Sequence, residues 1–225
     1  IQTNRSYYKA LDGLRLLASL NIVLLHMDSS ESLVMIQDSK FLLEIIKAPL
    51  FNASVFFVLG GFIYYGKIAA QVESFDTWRF IKQRLRRLYP LHFISMLLML
   101  LLHLEKYPSF QDYALLGKTV LAHALLIWPF VSPFVLELNA PSWALTPFFL
   151  AYFTLKLFTS VLNQEQSQTK LWFAAGLCVV PSLFVTWQYT QLKDAPGAYL
   201  LFHTMPLVRI CEFYLGMILS RLRHM

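Results

Sequence analysis

Seven long apolar runs dominate this chain and restrict it to folds that a lipid bilayer accommodates. A transmembrane helix needs roughly 20 mostly apolar residues, and every backbone N–H and C=O group inside lipid must be hydrogen-bonded within the protein. We therefore expect an all-α, integral-membrane, multi-span helical bundle with about six to seven spans. The apolar runs lie at 11–27, 42–65, 88–104, 113–130, 143–162, 171–189 and 199–220.

The composition excludes an ordinary soluble domain. Hydrophobic residues make up 57% of the 225 residues and charged residues 14%, whereas soluble domains carry roughly 25% charged residues; the mean hydropathy is +0.52. The net charge of +6 comes largely from basic residues near the ends of apolar runs, as the positive-inside rule and anionic lipid headgroups predict. We therefore expect membrane lipids as partners and no nucleic acid.

The organisation of the chain predicts one domain. No repeat, low-complexity tract or long linker separates the apolar runs, so we expect a single membrane domain over residues 1–225. The polar start, IQTNRSYYKA, does not resemble a cleaved signal peptide. Cys178 and Cys211 both lie in apolar runs and form no CxxC motif, so they predict neither a disulfide framework nor a redox site.

The distribution of lysine and arginine predicts the orientation in the membrane. Arg5 and Lys9 precede the first run, and the loop after that run is rich in acidic residues. Because basic loops stay on the cytoplasmic side, we expect a cytoplasmic N-terminus and a cytoplasmic loop between the second and third runs. That loop holds Lys67, Arg79, Lys82, Arg84, Arg86 and Arg87.

The run at 113–130 leaves two topologies open. It contains Lys118 and His123 and leads into a segment without lysine or arginine. If this run crosses the membrane, the chain has seven spans, and Arg221 and Arg223 lie outside the cell. If it lies at the interface or re-enters, six spans remain, and both arginines lie on the cytoplasmic side. The six-span topology agrees better with the positive-inside rule, and we prefer it.

The first run, Leu11 to Met27, keeps an arginine and a histidine although ionisable groups are costly in lipid. An α-helix turns by 100° per residue, so the side chains of Arg15 and His26, eleven residues apart, differ by only about 20° in direction around the helix axis. They lie about 16 Å apart along that axis. Asp12 lies one turn before Arg15 and can pair with it. Ionisable groups on one face suggest a polar cavity; the alternative is a snorkelling arginine and a helix-end histidine.

Several short motifs together resemble the acyltransferase-3 family of membrane acyltransferases. LDGLRLLASLNIVLLH resembles the start of that family, whose signature is an arginine, ten residues and a histidine, here Arg15 and His26. Four later motifs resemble family elements in the family's order and extend the resemblance over nearly the whole chain. They are FFVLGGF at 56–62, RLRRLYPLH at 84–92, PSWALTPFF at 141–149 and RICEFYLGM at 209–217.

The chain departs from the family pattern at three points. The family's WSLSVE segment carries a glutamate where this chain has Phe148, and Glu137 and Glu212 are the nearby acids that are candidates to replace it. Gly60 stands where the family's FFVLSGF segment has serine. The family also has more spans than this chain holds, so the resemblance implies a short or truncated member, incomplete at the C-terminus.

The resemblance implies O-acyl transfer, commonly O-acetylation, from acetyl-CoA or another acyl-CoA. The implied acceptor is a hydroxyl of a cell-surface polysaccharide or its lipid-linked precursor, and the implied location is the bacterial cytoplasmic (inner) membrane. A histidine takes a hydroxyl proton as general base or accepts the acyl group itself, so we expect His26 and Arg15 to be catalytic. Guanidinium groups bind phosphate bidentately, so Arg84, Arg86 and Arg87 are candidates to bind CoA.

The remaining polar residues carry weaker expectations. We expect Trp143 to anchor at the membrane interface and also consider it as a wall of the substrate site. Arg209 needs a partner, and Glu212 lies one turn on; with Asp12, this pair is expected to support the site. We expect no metal and no tightly bound cofactor, because the remaining histidines lack the spacing of a helical zinc pair. Four of these histidines, His92, His103, His123 and His203, are expected in loops or at the interface, and His92 is also considered as a residue of the cavity entrance.

Two other functions remain open from the sequence. A transporter or flippase without acyl-transfer chemistry would use the same intramembrane charges as a pathway, but transporters often show internal repeats, and none is visible here. The second alternative is an inactive fragment, because the chain has fewer spans than the family and has Phe148 where the family has a glutamate.

Overall fold

The computed structural model describes residues 5–28, 49–103, 110–131, 138–192 and 204–225. These ranges contain helices and turns and no strand, which confirms the all-α prediction. The α-helices are α1 (Arg5–Asp28), α2 (Pro49–Ile68), α3 (Thr77–His103), α4 (Phe110–Ala124), α5 (Trp128–Val131), α6 (Leu145–Gln164), α7 (Gln168–Leu192) and α8 (Pro206–Arg223).

Four segments of the described chain are long and apolar enough to cross a membrane. α1 and α8 are also 24 and 18 residues long, and α8 carries four charged residues, Arg209, Glu212, Arg221 and Arg223. The described residues therefore form an integral-membrane helical bundle, as the apolar runs predict. The four apolar segments are Ala53–Gln71, Thr77–Leu102, Pro141–Gln164 and Gln168–Gln188.

The basic segment before the third apolar run is helical, which corrects the expected loop. α3 begins at Thr77, so Arg79 to Arg87 lie on its first turns and not between helices. The Asp76 carboxylate accepts a hydrogen bond from the Arg79 backbone N–H at 3.0 Å and so caps the helix. The helix continues through Pro90. The basic side chains are therefore held at fixed positions around one helix.

The backbones of α2 and α8 are in close contact where the helices cross, because each helix contributes a glycine there. An ideal Cβ on Gly61 would lie 1.8 Å from the carbonyl oxygen of Phe213, and one on Gly216 would lie 1.9 Å from that of Val58. Real side chains do not approach backbone that closely, so both positions require glycine in this packing. This crossing brings the RICEFYLGM and FFVLGGF motifs together.

Three helices end on the same side of the bundle. The Tyr65 hydroxyl, at the end of α2, donates to Asn163 Oδ1 at 2.8 Å, and Asn163 Nδ2 donates to the carbonyl oxygen of Ala69 at 2.8 Å. Arg221 Nη2, at the end of α8, donates to the carbonyl oxygen of Glu165 at 3.0 Å. Because Asn163 and Glu165 lie at the end of α6, helices α2, α6 and α8 run parallel.

This parallel arrangement favours the six-span topology. α3 leaves the shared side and α6 returns to it, so the end of α3 at His103 and the start of α6 at Leu145 both lie on the opposite side. α4 stops at Ala124, and Leu126 has a left-handed φ of 58°, so no single span covers 113–130. The Tyr89 hydroxyl donates to the carbonyl oxygen of Ala124 at 2.8 Å, which packs the turn against α3.

Candidate functional site

A buried ion pair joins three helices of the bundle. Arg209 Nη1 donates to both carboxylate oxygens of Glu212 at 2.8 Å, and the two residues are 2% and 4% exposed. Ser54 of α2 and Ser182 of α7 donate to Glu212 Oε1 at 2.6 and 3.0 Å. Glu212 is the only buried acid among the described side chains, and its charge is matched by these donors, as a buried carboxylate requires.

Trp143 packs against this ion pair, which corrects its expected place at the membrane interface. The Arg209 guanidinium carbon lies 5.6 Å from the centre of the Trp143 ring, a cation–π distance. The ring is 9% exposed and lies 5.9 Å from that of Phe57. A short 3-10 helix, Ala140–Ala144, turns the chain into α6 and directs Trp143 inward.

A column of aromatic rings runs from the buried ion pair through the bundle. It begins with the contact between Trp143 and Phe57, and Phe57 stacks on Phe148 at a centroid distance of 4.4 Å. Phe148 lies 6.1 Å from Tyr152, and Tyr152 lies 5.3 Å from Tyr64. We refer to these five residues as the aromatic column. It connects the start of α6 to the C-terminal part of α2.

Arg84 lies at the Tyr64 end of the aromatic column. Its guanidinium carbon is 5.3 Å from the centre of the Tyr64 ring and 5.0 Å from that of Phe80. Arg84 is half-buried, whereas Arg86 and Arg87 are exposed. The structure therefore separates the three arginines that were grouped as candidate CoA ligands: one reaches the interior, and two face outward on the same helix.

Arg15, the arginine of the family signature, lies on α1 and pairs with an acid of the same helix. Its Nη1 atom is 3.7 Å from Asp12 Oδ1, and the side chain is 37% exposed. The backbone of His26 belongs to α1, but its side chain lies outside the described part of the chain, so its catalytic role stays a prediction.

Two departures from the family pattern meet in space. An ideal Cβ on Gly60 would lie 3.0 Å from Phe148 Cε1 and 3.4 Å from Phe213 Cε2. Gly60 and Phe148 are the positions where the resembling motifs carry serine and glutamate. Because Gly60 has no side chain, the Phe148 ring fits against α2 at this point. Glu137, one candidate to replace the missing acid, lies outside the described residues; Glu212, the other, is buried in its ion pair.

The histidines at 92 and 123 are buried, which corrects their expected place in loops or at the interface. His92 Nε2 donates to the carbonyl oxygen of His123 at 3.0 Å. His123 Nδ1 donates to the carbonyl oxygen of Thr119 at 3.0 Å, and its ring stacks on Trp128. Both are buried because the turn after α4 packs against α3. The side chains of His103 and His203 lie outside the described residues.

No described group of three histidine, cysteine, aspartate or glutamate side chains is placed to hold a metal ion. The described site instead contains hydroxyl groups that the sequence analysis did not single out: those of Ser54, Ser182, Tyr64 and Tyr152. A serine or tyrosine in an apolar run is a weak signal by itself. In the sequence, the one indication for Tyr152 is its position four residues after Phe148, which places both on one face of α6.

The fold and the site define a multi-span helical membrane protein with guanidinium groups both inside the bundle and at one end of an internal aromatic column. A family model described as an acyltransferase domain matches residues 8–225, and the chain belongs to this acyltransferase-3 family. The chain is 30% identical over 224 residues to the acyltransferase MdmB of Streptomyces mycarofaciens. That match covers 94% of this chain and 56% of the relative's length. No solved structure matches the chain.

Proposed function

We propose that this chain works as a membrane-bound O-acyltransferase that moves an acyl group, in the first instance acetyl, from acyl-CoA to a hydroxyl group. The proposed acceptor is a cell-surface glycan or its lipid-linked precursor, and the proposed location is the bacterial inner membrane with a cytoplasmic N-terminus. Family membership supports the reaction class. The observation that carries the proposal is the position of Arg84, one of the candidate site residues, whose guanidinium carbon lies 5.3 Å from the centre of the Tyr64 ring at one end of the aromatic column.

His26 is the proposed catalytic residue because a hydroxyl group is a poor nucleophile until its proton is removed. The acceptor oxygen attacks the thioester carbonyl carbon, a C–O bond forms, and the C–S bond breaks. The hydroxyl proton passes to the imidazole and then to the leaving CoA thiolate. In the other route, His26 takes the acyl group first and transfers it to the acceptor in a second step.

The proposed donor enters from the side on which α3 begins. Arg86 and Arg87 are exposed on the first turns of α3, where guanidinium groups attract the phosphates of CoA. The same side receives the ends of α2, α6 and α8. Under the positive-inside rule it is the cytoplasmic side, where acyl-CoA is found.

The ion pair of Arg209 and Glu212 has a supporting role in this proposal. It links α2, α7 and α8 through Ser54 and Ser182 and contacts Trp143 at the far end of the aromatic column. It therefore maintains the helix positions around the reaction site and is not expected to exchange protons with the substrate.

The test is acyl transfer in membranes that contain this chain. Membranes are incubated with [acetyl-¹⁴C]acetyl-CoA, and label is measured in glycan and lipid fractions beside the variant His26→Ala. The matched control is His224→Ala, since His224 is exposed after the end of α8. We expect label that disappears with His26→Ala and persists with His224→Ala. Equal label in all three samples would refute the catalytic role of His26.

A further inference from the structure

We propose that Ser54 accepts the acyl group from the donor and carries it, as an ester on its Oγ atom, to the acceptor. Glu212 takes the Ser54 proton, and Arg209 stabilises the negative charge that develops on oxygen. The inference rests on the proposed function, since it adds one covalent step between donor and acceptor. It differs from both routes described above, because neither assigns a reacting group to the site of the buried ion pair.

The first argument is the set of contacts at the Ser54 hydroxyl group. Ser54 Oγ donates to Glu212 Oε1 at 2.6 Å and accepts a hydrogen bond from Arg209 Nη1 at 3.0 Å. A serine is activated as a nucleophile when a base lies within hydrogen-bond reach and is itself oriented by a third group. Arg209 orients Glu212 by donating to both carboxylate oxygens at 2.8 Å, so the three residues fulfil this arrangement.

The second argument is the difference between Ser54 and the other serine at the ion pair. Ser182 also donates to Glu212 Oε1, at 3.0 Å, and this contact alone is sufficient to match the carboxylate charge. Ser54 is bonded in addition to the Arg209 guanidinium. A positive charge beside the attacking oxygen stabilises the oxyanion of the transition state, and it does so most strongly in an interior of low dielectric constant.

The third argument is access to the serine. Arg209 and Glu212 are 2% and 4% exposed, whereas Ser54 is half-buried. Of the three residues, Ser54 is therefore the one that a substrate can reach. The Trp143 ring covers the Arg209 guanidinium at 5.6 Å, so the base and the cation stay enclosed while the nucleophile is presented.

The fourth argument is the position of Ser54 along the bundle. α2 ends on the side that it shares with α6 and α8, so Ser54, near the start of α2 at Pro49, lies toward the opposite side. Ser54 precedes Tyr64 by ten residues, about 15 Å along the helix. The proposed donor and acceptor approach from opposite sides of the membrane, so an acyl group held at Ser54 has crossed much of the distance between them.

The proposed transfer is balanced as two steps. In the first, Ser54 Oγ attacks the thioester carbonyl carbon, its proton passes to Glu212, a C–O bond forms, and the C–S bond breaks to release the CoA thiolate. In the second, the acceptor oxygen attacks the ester carbonyl carbon, the acceptor proton passes to His26, and Ser54 Oγ leaves and recovers its proton from Glu212. The thiolate takes a proton from water, and His26 returns one to water. Glu212 exchanges a proton only with Ser54.

The test is covalent modification of the whole chain in phosphatidylcholine nanodiscs, without acceptor. One sample is incubated with acetyl-CoA and another with a fluorophosphonate, which reacts with activated serines and releases fluoride. Both samples are digested, and the modified residue is located by mass spectrometry. The variants are Ser54→Ala and the matched Ser182→Ala, because each removes one hydroxyl donor from the same carboxylate oxygen. Unfolding followed by intrinsic fluorescence shows whether both variants are folded.

We expect both reagents to modify Ser54 and hydroxylamine to release the acetyl ester. Modification at this position should fall more than about tenfold in Ser54→Ala and persist in Ser182→Ala, because the two variants differ in the nucleophile and not in the hydrogen bond lost. Absence of modified Ser54 with both reagents in the unsubstituted chain would overturn the inference. Acyl transfer by Ser54→Ala at the unsubstituted rate would overturn it as well.

Three further outcomes separate this inference from the proposed function. An acetyl group on His26 and none on Ser54 would overturn the serine ester and support the route through histidine. An acetyl ester on Ser54 in a chain whose membranes transfer no label to glycan or lipid would refute the proposed acceptor and leave the serine ester standing. A fluorophosphonate adduct on Ser54 without an acetyl ester would support the activated serine and refute acetyl-CoA as its donor.

Discussion

Arg209 and Glu212 show how a pair of charges is tolerated inside an apolar bundle. Each is almost fully buried, and Glu212 accepts hydrogen bonds from Arg209, Ser54 and Ser182. Such a pair adds little net stability compared with apolar residues of the same size, but removing one partner leaves an uncompensated charge. The pair therefore acts as a specific link between helices.

This link predicts the effect of neutralising Glu212. Glu212→Gln leaves the Arg209 charge without a counterion, and we expect the free energy of unfolding in detergent to fall by about 3 kcal/mol or more. The matched control is Glu165→Gln, because the Glu165 side chain is 29% exposed, compared with 5% for Glu212, and pairs with Lys170 at 3.6 Å. Unfolding is followed by intrinsic fluorescence. Equal stability of the two variants would contradict the structural role of the pair.

Gly60 and Phe148 are predicted to be energetically coupled. Gly60→Ser brings a Cβ to 3.0 Å from the Phe148 ring, and Phe148→Glu places a carboxylate against Phe57 and Phe213. In the double variant the smaller glutamate relieves the crowding and the serine hydroxyl can donate to it. We expect the double variant to be more stable than the sum of the single changes by about 1 kcal/mol. An additive double-mutant cycle would show that the two departures are independent.

At the level of helices, the crossing of α2 and α8 depends on Gly61 and Gly216. Either glycine replaced by alanine would place a methyl group within 2 Å of the partner's carbonyl oxygen, so the helices must separate. We expect each substitution to lower the free energy of unfolding by about 1–3 kcal/mol. The comparison variant is Gly176→Ala in α7, where nothing lies within 4 Å and alanine is the better helix former. Gly216→Ala as stable as Gly176→Ala would contradict this crossing.

α3 joins a basic segment to an apolar segment in one continuous helix. The Asp76 cap starts the helix before the basic residues, so their positions follow helical geometry. One turn separates Arg84 from Arg87, yet Arg84 faces the aromatic column and Arg87 faces outward. The local sequence, in which the basic residues are nearly consecutive, does not distinguish them.

For the whole bundle, the parallel course of α2, α6 and α8 predicts which loops share a side. In a chain with Cys178 and Cys211 replaced by serine, single cysteines are introduced at the exposed positions Glu73, Gln166 and Pro141. Glu73→Cys and Gln166→Cys should react with a membrane-impermeant maleimide from one side, and Pro141→Cys from the other. Labelling of Glu73→Cys and Gln166→Cys from opposite sides would restore the seven-span topology.

Contacts within one helix could be predicted from residue spacing. The pairing of Arg209 with Glu212 and of Arg15 with Asp12 follows from the three-residue separation, because a helix places such residues on one face. The positions of the long helices follow from the apolar runs in the same way, except at 113–130, where the helix ends at Ala124. These features depend on local backbone geometry and on the length that a bilayer requires.

Contacts between helices were not accessible to that reasoning. The burial of Trp143, the contact of Gly60 with Phe148 and the position of Arg84 over Tyr64 join residues far apart in the chain. Apolar runs indicate that a helix lies in lipid but not which face meets which neighbour. That choice depends on close packing at glycines and on the pairing of buried polar groups, which exist only once the helices have assembled.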